Sequence, residues 1–331
     1  MQRTIKTICM AVMTLAVTAC SSGSGSKPSS TAASRGINSS NIAVMACDAS
    51  FENIMQQEID VFEFINPKMT ILPMYIDESA CIDSLLKGRA STAVISRELR
   101  ASEIKILRNA GRAPHTTRIA VDAIALIVNK KNPLNEITVS EITDILDGKY
   151  HAWRDLQPSP LGDISVVFDH PGSSTVRFMR DSLMDGRQLT GNVFAQGDNK
   201  AVFEAVKNNK NAMGVIGVSW IASDMSGADL SAEQRAARLD SEDVTDMGFS
   251  DDIKVLRVRL DDSVDSYQPY QAYILDGKYP LYRSMYMVNT GYSGTAAHAF
   301  YVFVTGWRGQ KVIMSTGVLP STVRPRVVTL N

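Results

Sequence analysis

From Asn41 onward, short apolar runs alternate with amphipathic stretches. Asn41–Cys47 reads as a strand. Ser50–Phe64 reads as a helix whose apolar side carries Phe51, Ile54, Met55, Ile59, Val61 and Phe62. Met69–Tyr75 predicts a second strand, Ser79–Leu86 a second helix, Thr92–Ile95 a third strand and Ala101–Asn109 a third helix. This rhythm implies a parallel sheet with helices on both faces. A longer apolar run, Ile119–Val128, interrupts it. A helix at Val139–Leu146, a strand at Ile164–Phe168, helices at Ser173–Leu183 and Lys200–Lys207, and a strand at Met213–Ile216 follow. Ala222–Asp252 is polar and acidic and reads as a surface excursion. Strands are expected near Ile253–Val258 and Ala272–Ile274, with a return run at Tyr286–Asn289. Helical patterns around Ala296–Thr305 and Gln310–Thr316 close the chain. Two α/β halves in one chain predict two lobes, with ligand held at the carboxyl ends of the strands and closure about a hinge.

The first residues follow a different pattern. Arg3 and Lys6 precede an apolar stretch, Thr7–Ala19, that is too short to span a bilayer and reads as a signal peptide. It ends in Val17-Thr18-Ala19-Cys20, which resembles the lipobox of bacterial lipoproteins, where the cysteine is acylated and becomes the mature N-terminus. A serine-rich stretch from Ser21 to about Ser40 has no apolar cluster and reads as a disordered tether spanning roughly 25 Å. The expected organisation is a signal peptide over 1–19 and a lipid-bearing Cys20 with its tether over 20–40. One lobe is expected from 41–121 plus 285–331, and a second from 122–284.

Composition narrows the partners. The chain has 331 residues, 44% of them hydrophobic and 21% charged, which is ordinary for a globular protein. Without the first nineteen residues, 32 basic and 35 acidic residues remain, a balance of −3. There is no basic tract, which argues against nucleic acid. Cys47 and Cys81 are compatible with a disulfide or with two buried thiols. The histidines, His115, His151, His170 and His298, are scattered and no C-x-x-C occurs, so neither a metal nor another cofactor is expected.

Three strand-to-helix junctions suit an anion: Asp48-Ala49-Ser50-Phe51, Ser96-Arg97-Glu98, and Asp169-His170-Pro171-Gly172-Ser173-Ser174-Thr175. In the third, the glycine allows a tight turn. Ser173, Ser174 and Thr175 then offer hydroxyls and backbone N–H groups at a helix N-terminus. Ser50 and Ser173 are good N-caps with or without a ligand, so the junctions gain weight as a set. Asp169, His170 and the serines do not form a nucleophile elbow, because Val176 follows Thr175 where Gly-x-Ser-x-Gly needs glycine. Binding is expected, not catalysis.

Longer motifs carry a family resemblance. Ile119–Asn129 followed by Asn132-Pro133 resembles the lobe-crossing strand of phosphate ABC transporter substrate-binding proteins. Thr138–Asp155, with Glu141-Ile142, Ile145, Gly148-Lys149 and Trp153, resembles that family's helix, glycine-lysine turn and tryptophan. Gly172-Ser173-Ser174-Thr175 resembles its phosphate loop, Ala212–Gly217 its alanine–isoleucine–glycine strand, Tyr279-Pro280-Leu281-Tyr282-Arg283 its return crossing, and Ile95–Leu99 a further loop. The chain is most similar to a divergent branch found in lipoproteins of Bacteroidetes. The resemblance implies an α/β, bilobed periplasmic-binding-protein type 2 fold, with two lobes joined by two crossing strands. It further implies a monomer, held at the membrane by lipid on Cys20, that binds inorganic phosphate and delivers it to the permease subunits of an ABC importer. By position, Ser50 and Phe51 would form the first phosphate loop, Ser96 and Arg97 the third-strand contact, and Ser173, Ser174 and Thr175 the clamp from the other lobe. Asp122 would lie at the crossing and Arg177 just past the loop. The chain departs from the family at Asp77 and Glu78, where a glycine–serine turn is common. It departs also at Asp169, where many members have arginine, and at Ser174, where they have glycine. Arg97 or Arg177 is expected to supply the positive charge. The alternative is an envelope lipoprotein of the same fold that senses or binds another oxoanion without transport.

Overall fold

The structure, a computed structural model, describes residues 39–222, 230–239 and 248–322. The expected signal peptide, Cys20 and nearly all of the tether lie outside the described residues.

β1 (Ile42–Asp48) pairs in parallel with β2 (Thr70–Ile76) on one side and β3 (Thr92–Ile95) on the other. Alternate residues of β1 face opposite ways. Met45 and Cys47 pack with Ile54, Met55, Ile59 and Phe62 of α1 (Glu52–Ile65). Ala46 packs on the other face with Cys81, Ile82 and Leu85 of α2 (Glu78–Leu86) and Leu107 of α3 (Ala101–Asn109). Helices therefore cover both faces, as the alternating pattern requires.

The apolar run Ile119–Val128 belongs to a fifteen-residue strand, β4 (His115–Asn129). At about 3.3 Å per residue it is roughly 50 Å long. From Ile119 to Val128 every side chain but the half-buried Val121 is buried, which is why this part reads as a continuous apolar run, while His115, Thr116 and Arg118 are exposed. Up to Ala123, β4 pairs antiparallel with β12 (Tyr282–Asn289), which continues the sheet onto β3. From Ile124 it pairs instead with β8 (Ala212–Gly217) and, at its end, with β9 (Ile253–Val255). Beyond β8 lie β6 (Ser165–Phe168) and β7 (Val193–Ala195), both parallel. One ten-stranded sheet results, ordered β2-β1-β3-β12-β4-β8-β6-β7, with β9 and β13 (Leu319–Pro320) branching from β4. Its second half carries α4 (Val139–Leu146), α5 (Ser174–Leu183) and α6 (Asn199–Asn208). β5 (Glu136–Thr138), β10 (Arg257–Arg259) and β11 (Ser266–Tyr267) form a separate three-stranded sheet. α9 (Ala296–Thr305) and α10 (Trp307–Ser315) return to the first half.

Several elements differ from the sequence reading. The sheet is parallel within each half but mixed as a whole, because both crossing strands run antiparallel to their neighbours. The helix expected from Ser50 begins as a 3-10 turn, Ala49–Phe51. Ile253–Val258 splits into β9 and β10, which join different sheets. Ala272–Ile274 is not a strand but lies in a short helix, α8 (Gln271–Leu275). The Gln271 side chain fastens it by donating to the Met314 and Val318 carbonyls, both at 2.9 Å. A three-residue apolar run cannot distinguish the two states. The polar excursion contains α7 (Ala232–Leu239), which packs on α1. Cys47 and Cys81 are separate buried thiols. No helix among the described residues is long and apolar enough to cross a membrane.

Candidate anion-binding site

Two helix starts from opposite halves of the sheet meet at one point. β1 ends at Asp48, whose Oδ1 accepts hydrogen bonds from the Ser50 N–H at 2.9 Å and from the Ser50 hydroxyl. Asp48 thus turns the chain into the 3-10 segment and aims Ser50 away from β1. β6 ends at Phe168, and the turn through Gly172 leads to Ser173, the N-cap of α5. The Ser173 Oγ accepts from the Val176 N–H at 3.1 Å. The next two N–H groups, of Ser174 and Thr175, have no partner within the helix and sit at its positive end. The hydroxyls of Ser50 and Ser174 lie 2.9 Å apart, joining the two starts.

The crossing strands supply the charge. Register places Arg283 of β12 directly opposite Asp122 of β4. Its Nε and Nη2 donate to Asp122 Oδ2 at 3.1 and 3.0 Å, while Nη1 donates to the hydroxyls of Ser174 and Thr175. The guanidinium lies 4.5 Å from the Phe51 ring centre, a cation–π contact. Arg283 is 5% exposed and Asp122 1%. Burial pushes the Asp122 carboxyl above its usual range, against the opposing pull of Arg283. Trp220 supports this core by donating from Nε1 to the Ser50 carbonyl at 3.0 Å.

A second layer lies beside it. Glu78, at the start of α2, accepts from the Ser96 N–H at 2.6 Å and its hydroxyl at 2.9 Å. Arg177 of α5 reaches across to both Glu78 and the Ser96 hydroxyl. His170 Nδ1 is 3.0 Å from Asp77 Oδ1. The approach is close at Gly172: a Cβ there would lie 2.5 Å from Asp77 Oδ2.

The sequence-expected residues fall into two groups. Ser50, Phe51, Asp122, Ser174 and Thr175 surround Arg283. Ser96 and Arg177 lie in the second layer, and Ser173 caps α5. Arg97 stands apart from Arg283, holding Glu103 through two bonds of 2.8 and 2.9 Å and keeping that carboxyl below the usual range. It lines a cavity of about 340 Å³ together with Arg100, Arg177, Glu78 and the first turn of α5. The central cation is thus Arg283, a residue of the return crossing, and neither Arg97 nor Arg177. A signal was present. Arg283, Met285 and Met287 alternate on one face of β12, and all three are buried. A charged residue on a buried face needs a partner.

Acids also converge. Asp48 Oδ2, Asp122 Oδ1 and both Asp169 oxygens are buried without a well-aligned hydrogen-bond partner. Burial pushes Asp169 up as well. The cluster therefore offers hydroxyl, amide and guanidinium donors for an oxyanion, and carboxylate acceptors for any proton it carries. Among the described residues, no group of three or more His, Cys, Asp or Glu is arranged to hold a metal ion.

Residues 24–306 match the PBP superfamily domain. The chain belongs to this superfamily. Its α/β architecture is the bilobed type 2 form of these binding proteins. One relative is phosphate-binding protein PstS 2 of Streptococcus agalactiae, 32% identical over 118 residues, or 36% of this chain and 38% of that protein. The match thus spans about two-fifths of that relative's length. Phosphate-binding protein PstS of Pseudomonas aeruginosa is 20% identical over 298 residues, covering 85% of this chain and 83% of its own. Among solved structures, a phosphate ABC transporter substrate-binding protein with bound phosphate from Clostridium perfringens superposes with a TM-score of 0.66 at 23% identity. It covers 85% of this chain and 100% of its own. An ABC-type phosphate transport receptor from Vibrio cholerae gives 0.60 at 19% identity, covering 84% and 99%. At these identities the structures speak for the fold.

Proposed function

We propose that this PBP-superfamily protein captures inorganic phosphate in the cell envelope and passes it to the permease subunits of an ABC importer. The observation that carries this reading is the meeting of Ser50, Ser174 and Thr175 with Arg283 at two helix starts from opposite halves of the sheet. Hydroxyl donors, free helix-terminal N–H groups and a fixed guanidinium replace the water that an oxyanion loses on entering a closed cleft. The names of its relatives point the same way. Binding, not catalysis, fits the loop. Ser173 Oγ is committed to the Val176 N–H and His170 Nδ1 to Asp77. Equilibrium titration with labelled phosphate tests the reading directly. Thr175→Ala removes a hydroxyl donor to a charged ligand, and binding is expected to weaken by about 1.5–3 kcal/mol, roughly ten- to a hundredfold. Unchanged affinity would remove this loop from the site.

The carboxylate oxygens left without a well-aligned partner, on Asp48, Asp122 and Asp169, support phosphate over sulfate. Phosphate keeps a proton at neutral pH and can donate it to a carboxylate, whereas sulfate meets the same oxygen with no proton between them. Asp122 is the assigned acceptor, with Asp48, Asp77, Glu78 and Asp169 around the same cleft. Sulfate is expected to bind at least about a hundredfold more weakly, a gap of about 2.7 kcal/mol. Asp122→Asn should narrow that gap, read by competition titration of both anions. Equal affinity of the wild type for the two anions contradicts the assignment.

The envelope location rests on the lipobox pattern before Cys20. Acylation there anchors the protein as a monomer beside its transporter. Cys20→Ser should leave the protein as precursor or in soluble form, without fatty-acid label. Wild-type labelling of that variant would dismiss the anchor.

A further inference from the structure

The first turn of α5 has two sides. On one side Ser174 meets Ser50 and Arg283 in a closed, buried cluster. On the other, Ser173 and Ser174 form part of the wall of the 340 Å³ cavity. A tetrahedral oxoanion displaces on the order of three waters, roughly 90 Å³. The cavity is therefore several times larger than orthophosphate needs and falls in the range of small-molecule sites.

Its charge is also in excess. Arg97, Arg100 and Arg177 line it against Glu78 and Glu103, which leaves one positive charge besides the helix terminus. Arg97 is held by Glu103, and Arg177 by Glu78 and Ser96. The Arg100 side chain makes no hydrogen bond or ion pair among the described residues, and only its backbone N–H reaches Glu103, at 2.7 Å. Its charge also helps hold the Glu103 carboxyl low, but at a distance, so the cavity has one cation without a bonded acid next to the phosphate-binding turn.

We infer that the cleft accepts a phosphoryl ligand bearing a second anionic group, with a phosphoanhydride such as pyrophosphate as the simplest member of the class. One phosphoryl group sits on the first turn of α5 and the second meets Arg100 across the cavity. This inference rests on the phosphate reading of the inner cluster but makes a separate demand. Arg100 takes no part in that cluster and is exposed, so replacing it leaves orthophosphate binding and folding in place.

The test is calorimetric titration of the purified wild-type protein, Arg100→Gln and Arg100→Lys with orthophosphate and with pyrophosphate, in metal-free buffer. Pyrophosphate is expected to bind the wild type at least as tightly as orthophosphate. Arg100→Gln should weaken pyrophosphate roughly tenfold and leave orthophosphate within about twofold, while Arg100→Lys retains most pyrophosphate affinity. Orthophosphate binding without pyrophosphate binding overturns the inference and leaves the phosphate reading standing. Equal loss of both ligands in Arg100→Gln overturns the separate subsite. Failure of both anions to bind the wild type overturns the inference together with the reading beneath it.

Discussion

Arg283 is the residue at which stability and the proposed binding of phosphate meet. Its guanidinium faces Asp122, two hydroxyls and an aromatic ring, and all of them are buried. Arg283→Met removes the cation and leaves Asp122 charged and unpaired in a dry interior. That should cost about 3–5 kcal/mol of stability, because an orphaned buried charge is more damaging than a missing pair. Adding Asp122→Asn should recover part of the stability but none of the phosphate affinity. Urea unfolding and phosphate titration of the single and double variants separate the two roles. Wild-type stability in Arg283→Met would show that Asp122 does not depend on it. The alternation of Arg283 with Met285 and Met287 hinted that this arginine is buried, but it did not name the acid opposite it. The pairing comes from cross-strand register, and no local pattern encodes which residue of β4 will lie opposite residue 283.

At the level of elements, α5 and β8 show how local sequence and packing divide the work. Ser173 caps α5 on its own account, so Ser173→Ala should lower stability by about 1 kcal/mol even without ligand, measured as a shift in the urea midpoint. Gly214 of β8 has a different reason to be there. A Cβ at that position would lie 2.7 Å from Ile127 Cγ1 and 2.8 Å from Val206 Cγ2, where α6 presses on the junction of β4 and β8. Gly214→Ala overfills this contact and is expected to destabilise by about 1–3 kcal/mol. The phosphate affinity of the folded fraction should stay near wild type, since the crowding lies away from Ser174 and Arg283. Unaltered stability would mean that the contact can relax freely. The cap was visible in the sequence as a serine before an amphipathic run. The glycine's reason was not, because it depends on which helix lies over which strand.

For the whole molecule, pH is the informative variable. Glu58 of α1 is fully buried, both its carboxylate oxygens lack partners, and burial pushes its pKa well above the usual range. A carboxyl that is harder to ionise when folded binds more protons in the native state than in the unfolded chain. Stability from this group is therefore complete below the unfolded pKa. It falls as pH rises from about 4.3 towards the raised native value. Glu58→Met removes that dependence. Its advantage over wild type should grow by up to about 1.4 kcal/mol per pH unit above pH 4.3 while Glu58 stays protonated in the fold, and should be smallest near pH 4. Urea midpoints measured from pH 4.5 to 8 give the difference. A difference that does not change with pH would show that Glu58 finds a partner in the native state.

The chain by itself determined the order and kind of most elements, because hydrophobic period is a local property. β3, α3 and α4 have the bounds that their apolar spacing predicts. It also determined the junction before α5, since Ser173 provides a cap and a positive helix end wherever that helix is placed, whereas Ser50 is held inside a 3-10 turn that Asp48 caps. The tertiary structure alone decided what meets across the sheet. It split Ile253–Val258 between two sheets and turned Ala272–Ile274 into a helix. It set Ser50 against Ser174, 124 positions apart. It chose Arg283 over Arg97 as the central cation and gave Arg97 to Glu103. Apart from the Arg97–Glu103 pair, which is six positions long, these outcomes depend on strand register and on contacts between residues more than forty positions apart. Spacing within one segment carries no information about either.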